Sequence, residues 1–89
     1  MSDNWTLLFT KKAIQDSNLI KPSGLSQKTQ ELLDILKINP FQNPPPFEKL
    51  VGNLSGVYSQ RINIKHRLVY SMIPEKKVVS ILRMWTHYE

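Results

Sequence analysis

Between residues 25 and 39, in LSQKTQELLDILKIN, Leu25, Thr29, Leu32, Leu33 and Leu36 recur at helical spacing, while Gln27, Lys28, Glu31 and Asp34 fall mostly on the other side. The pattern predicts an amphipathic helix whose apolar stripe belongs to the core. Upstream, WTLLFT (5–10) is a short apolar run with aromatic and Thr content, suited to a strand. Thr10 is placed to cap a shorter helix over KKAIQDSNLI, and KPSG (21–24) is expected to break it. Four prolines within NPFQNPPP (39–46) remove amide donors and restrict φ, so this stretch reads as an extended connector.

Beyond the connector the period changes to two. GVYSQRINI alternates Tyr58, Ile62 and Ile64 with Ser59, Arg61 and Asn63, and HRLVYSMI alternates Leu68, Tyr70 and Met72 with Arg67, Val69 and Ser71. PEKK (74–77) is a turn, and VVSILRM (78–84) is the last strand. Short links between these strands predict an antiparallel meander. The expected fold class is α+β: two N-terminal helices packed on one face of a small antiparallel β-sheet. The other face stays partly open and carries Arg61 and Arg67. At 89 residues the chain forms a single domain, 1–89.

Composition narrows the chemistry. The absence of cysteine excludes disulfides, thiolate zinc sites and thiol nucleophiles, and with His66 and His87 the only histidines no metal site is expected. No apolar run is long enough for a membrane span. The N-terminus runs from acidic and polar to apolar to basic, unlike a secretory signal, and a cytoplasmic location is expected. The net charge of +5 is concentrated late in the chain. Residues 59–89 hold Arg61, Lys65, Arg67, Lys76, Lys77 and Arg83 against Glu75 and Glu89. Such a basic half suits either a phosphate-bearing partner or a solvated surface.

Between Asp34 and Glu75 the only acidic residue is Glu48, so Arg61 and Arg67 have one nearby carboxylate in sequence to share. A surface Glu, a tail His and a packing Tyr are each ordinary alone. Together, Glu48, the arginines and His87 supply what metal-independent RNA cleavage needs. A base takes the 2′-OH proton, cations steady the phosphorane, and an acid protonates the leaving 5′-oxygen. Neighbouring arginines would keep Glu48 ionised, and an unperturbed His titrates near ~6.5.

FEKLVGNLSGVYSQRINIKHRLVYSM, followed by RMWTHYE, resembles the Txe/YoeB branch of the RelE/ParE toxin superfamily over roughly residues 40–89. The shared features are a Glu with Leu shortly after it, NLSG, an aromatic, S-x-R-I, HRLVY and a closing His-Tyr. The resemblance implies a toxin of a type II toxin–antitoxin pair, acting as a ribosome-dependent endoribonuclease that cuts mRNA in the decoding A site without a cofactor. It implies Glu48 as general base, His87 as general acid, Arg67 as phosphate stabiliser and Tyr88 as the residue that orients or stacks on the nucleotide. Arg61 is expected to contact phosphate, with Lys49 and Arg83 as further RNA contacts. The implied partners are mRNA on the ribosome and a YefM-like antitoxin, with a homodimer left open and no membrane.

Two departures stand out. Gln60 occupies a position where some relatives carry a second arginine, and Met84, Trp85 and Thr86 separate Arg83 from His87. Trp85 is expected to anchor the tail against the core. The competing readings are a ParE-like toxin that binds DNA gyrase, which needs no Glu/His pair, and a non-catalytic RNA- or ribosome-binding module.

Overall fold

The structure, a computed structural model, describes residues 4–49 and 56–85. Strand β1 (Thr6–Phe9) leads into helix α1 (Lys11–Ser23), and α2 (Ser26–Ile38) follows after a short turn. Strands β2 (Glu48–Lys49), β3 (Val57–Arg61), β4 (Arg67–Ile73) and β5 (Val78–Arg83) complete the sheet, with a 3₁₀ turn at Pro74–Lys76. The strand order is β1-β5-β4-β3-β2. The β2–β3, β3–β4 and β4–β5 pairs are antiparallel as expected, but β1 joins β5 in parallel, so the sheet is mixed. The parallel edge follows from chain path: two helices intervene before the strand that β1 meets, allowing a crossover that no hairpin could make.

Thr10 caps α1, its Oγ1 accepting the Ala13 amide at 3.1 Å. The same hydroxyl donates to the Leu82 carbonyl at 3.0 Å, tying the helix start to β5. The break falls within KPSG as expected, three residues past the expected KKAIQDSNLI helix. Helix α1 runs through Lys21 and Pro22 to Ser23 and stops at Gly24, whose φ of 85° is the left-handed conformation favoured at a helix end. In the last turn, Pro22 sacrifices one amide bond without ending the helix.

Both helices pack on one sheet face. Ala13 and Ile20 of α1 and Leu32, Leu33 and Leu36 of α2 meet Leu68, Tyr70, Val79 and Ile81 from the central strands. Ile64 departs from its expected apolar row. Strand β3 ends at Arg61, and Ile64 lies 89% exposed in the turn that follows. Asn63 shapes that turn, its Oδ1 accepting the amides of Lys65 at 2.9 Å and His66 at 2.7 Å.

Candidate active site

The face opposite the helices is closed at its centre, where Ser59 and Val69 are buried as cross-strand partners. Functional groups gather toward one edge. Glu48 stands opposite Ser59, and Arg61 stands directly opposite Arg67. The two-residue strand β2 escaped the periodicity reading because it is too short to show alternation. It nevertheless brings Glu48 beside β3, and one Arg67 guanidinium nitrogen (Nη1) donates to Glu48 Oε1 and, at 3.3 Å, to Ser59 Oγ.

The electrostatics follow from this geometry. The Arg67 hydrogen bond, then its charge, hold the Glu48 carboxyl below its ordinary 4.5; they outweigh a slight desolvation, and Arg61 adds a still smaller lowering. Glu48 is therefore a carboxylate at neutral pH, able to accept a proton. Two arginines facing each other across neighbouring strands repel. Glu48 neutralises one charge, and among the described residues no other carboxylate lines the cavity of about 360 Å³ formed by Lys28, Pro45, Pro46, Glu48, Ser59, Arg61 and Arg67. With three cations and one anion around it, the hollow favours an anionic occupant.

Three of the residues expected from sequence therefore meet here: Glu48, Arg61 and Arg67. Lys49 follows Glu48 on the short strand, opposite Tyr58, and does not line the cavity. Arg83 is engaged elsewhere. Its Nε donates to Asp16 Oδ2 at 2.8 Å and its Nη2 to Oδ1 at 3.3 Å, while the Met84 amide donates to the same Oδ2 at 3.0 Å. Burial pushes the Asp16 carboxyl up, but hydrogen bonds from Arg83 and from the Met84 and Trp85 amides, together with the Arg83 charge, leave it below its ordinary 3.8. His87 and Tyr88 lie outside the described residues.

Sequence reasoning missed Lys28 and Ser59 as cavity residues and Asp16 as a buried anchor. Only Asp16 left a readable sign: it falls at helical spacing between Ala13 and Ile20, on the stripe that faces the core. A second groove, of about 670 Å³, lies along β1 at the other edge of the sheet, lined in part by Trp5, Phe9, Leu33 and Lys37, and none of the expected residues enters it. Among the described residues no three His, Asp or Glu side chains gather as metal ligands would, and no helix is long and apolar enough to cross a membrane.

Residues 9–88 match the family model of the YoeB-like toxin of bacterial type II toxin–antitoxin systems. The chain belongs to this family. It is 36% identical to the toxin YoeB of Escherichia coli K12 over 62 residues, 70% of this chain and 71% of that protein. Its fold superposes on the YoeB dimer of Staphylococcus aureus with a TM-score of 0.80 at 31% identity, over 96% of this chain and 99% of that one. It is similarly close to the YoeB–YefM complex of Staphylococcus aureus, with a TM-score of 0.77 at 31% identity, over 94% and 98% of the two chains. The YoeB-family assignment agrees with the RelE/ParE-like expectation.

Proposed function

We propose that this YoeB-family toxin is a ribosome-dependent endoribonuclease that inhibits translation by cutting mRNA in the A site. The observation that carries the reading is the Arg67-bound Glu48 carboxylate at the edge of a cavity with excess positive charge. When a backbone phosphate enters, Arg67 turns from Glu48 to the phosphate oxygens, where a guanidinium fork fits well. Glu48 then takes the proton of the 2′-OH, the O2′–P bond forms and the P–O5′ bond breaks. His87 gives its proton to the departing O5′, leaving a 2′,3′-cyclic phosphate and a 5′-hydroxyl. Arg61 adds a contact to the phosphate backbone, and Tyr88 orients the nucleotide. No step calls for a cofactor.

The Staphylococcus aureus relatives, a dimer and a complex with YefM, support a YefM-like antitoxin and self-association for this chain as well. Its work would lie in the bacterial cytoplasm, where ribosomes read messages. Inducing the chain in bacteria and mapping mRNA ends tests the reading. Cuts inside translated codons, absent when translation is blocked, are expected. Growth arrest with intact messages and altered DNA supercoiling would instead support the gyrase-binding alternative.

A further inference from the structure

Among the described residues Lys28 is the one helix residue in the cavity wall, and nothing in the nuclease reading employs it. It stands in the first turn of α2, where no acidic residue neutralises it and the Leu25 cap offers no side-chain hydrogen bond. A lysine there adds charge to the positive end of the helix dipole, which is unfavourable without an anion. Among the described residues Lys28 makes no ion pair, although Glu31 and Asp34 belong to the same helix. Across the cavity Arg61 likewise makes no ion pair with a described carboxylate, whereas Arg67 is held by Glu48. The cavity thus holds two kinds of cation: Arg67, tied to Glu48, and Lys28 and Arg61, which no described carboxylate pairs. Pro45 and Pro46 add apolar surface to its lining.

From this division we infer that Lys28 and Arg61 form a second phosphate subsite, which holds a phosphodiester of the message neighbouring the one that is cut, with the ribose or base between the two phosphates resting on Pro45 and Pro46. The ligand class is single-stranded RNA, read through its backbone and not through base edges. The inference rests on the nuclease reading for its account of the first phosphate. Its own role is to set the register of the strand: one phosphate fixed at Lys28 and Arg61 leaves its neighbour at Arg67.

A short 2′-O-methyl RNA oligonucleotide, which has no nucleophile and cannot be cut, provides the test. Its binding is measured against salt for the unaltered protein, Lys28→Gln, Lys28→Arg and, as an equal charge loss on α1, Lys12→Gln. Lys28→Gln is expected to weaken binding several-fold and to flatten the logarithmic salt slope by about 0.7, the share of one phosphate contact on a single strand. Lys28→Arg should restore both, and Lys12→Gln should leave both unchanged. Lys28→Gln binding with unaltered affinity and slope would overturn the subsite. A loss seen only with ribosomes lacking message would give the phosphate to ribosomal RNA and equally overturn it. Because the oligonucleotide resists cleavage, these outcomes are separate from failure of the nuclease reading, which shows as an unaltered protein that leaves messages intact. A thermal melt of Lys28→Gln checks that the exposed substitution has not disturbed the fold.

Discussion

The imidazole of His66 lies against the indole of Trp85, with ring centroids 3.9 Å apart and planes within 19° of parallel. The stack joins the start of β4 to the end of β5. Val69 pairs with Arg83, and two residues further along each strand stand Arg67 and Trp85. His87 follows Trp85 by two residues in the sequence. A change at the stack is therefore expected to reach the proposed acid. Trp85→Ala is expected to slow message cleavage about 10–100-fold at saturating ribosomes, the scale of a misplaced catalytic group. His66→Phe, which preserves a flat ring, should retain most of the rate. A Trp85→Ala protein that cuts at the unaltered rate would show that the stack does not position the tail.

Asp16 and Arg83 form a second tie between helix and sheet, and this one concerns stability. Asp16→Ala strands the Met84 amide and removes one partner of Arg83, which is expected to cost about 2 kcal/mol. For a domain of this size the melting temperature should fall by roughly 8–16 °C. The pH dependence has a definite sign. The folded carboxyl titrates below its ordinary 3.8, so its contribution is complete above the unfolded value and disappears as pH falls through the folded one. The gap in stability between the unaltered protein and Asp16→Ala should hold steady above about pH 5 and narrow below pH 4. Denaturant melts at several pH values check both statements, and a gap that widened in acid would contradict the ion pair.

What could be read from sequence was what periodicity and local chemistry determine. The amphipathic α2, the Thr10 cap and the alternation of β3 and β4 are local, and the apolar pattern marked the right face of each. The parallel β1–β5 edge is a long-range pairing that no local pattern encodes. The end of α1 depended on Gly24 more than on Pro22, because a proline in the last turn removes only one hydrogen bond. At the site, Glu48 and the two arginines could be named because the acid is isolated among bases in sequence. Lys28 could not, since a lysine on the polar side of a helix looks like any solvated residue until the fold brings it to the cavity that Arg61 also lines. Arg83 showed the reverse: a cation proposed for RNA that the structure seats on Asp16.

Replacing His87 by Gln tests the acid directly. Gln keeps the approximate volume and a hydrogen-bond donor but cannot release a proton near neutral pH. His87→Gln is expected to end growth arrest on induction and to lower the cleavage rate by about 10²–10⁴-fold. Binding to ribosomes should persist, because the arginines are untouched. A fully toxic variant would remove His87 from the mechanism.

The Glu48–Arg67 pair makes the most specific prediction, because the same bond that keeps the base ionised also weakens it. With Arg67 donating, the Glu48 carboxyl titrates below its ordinary 4.5, as ¹³C chemical shifts of the free protein should show directly. Arg67→Gln removes the first and second causes of that depression, so the midpoint should climb toward 4.5, while Arg61→Gln should move it less. Binding the uncleavable oligonucleotide should act in the same direction as Arg67→Gln. The phosphate draws Arg67 away and adds its own negative charge, and both effects favour the protonated carboxyl. The base thus gains proton affinity when the 2′-OH arrives to be deprotonated, while in the free toxin it stays paired and unreactive. A midpoint unmoved by Arg67→Gln would mean that the pair is not formed in solution. One that moves with Arg67→Gln but not with RNA would mean that the phosphate leaves Arg67 on Glu48, and the exchange at the heart of the proposed mechanism would have to be abandoned.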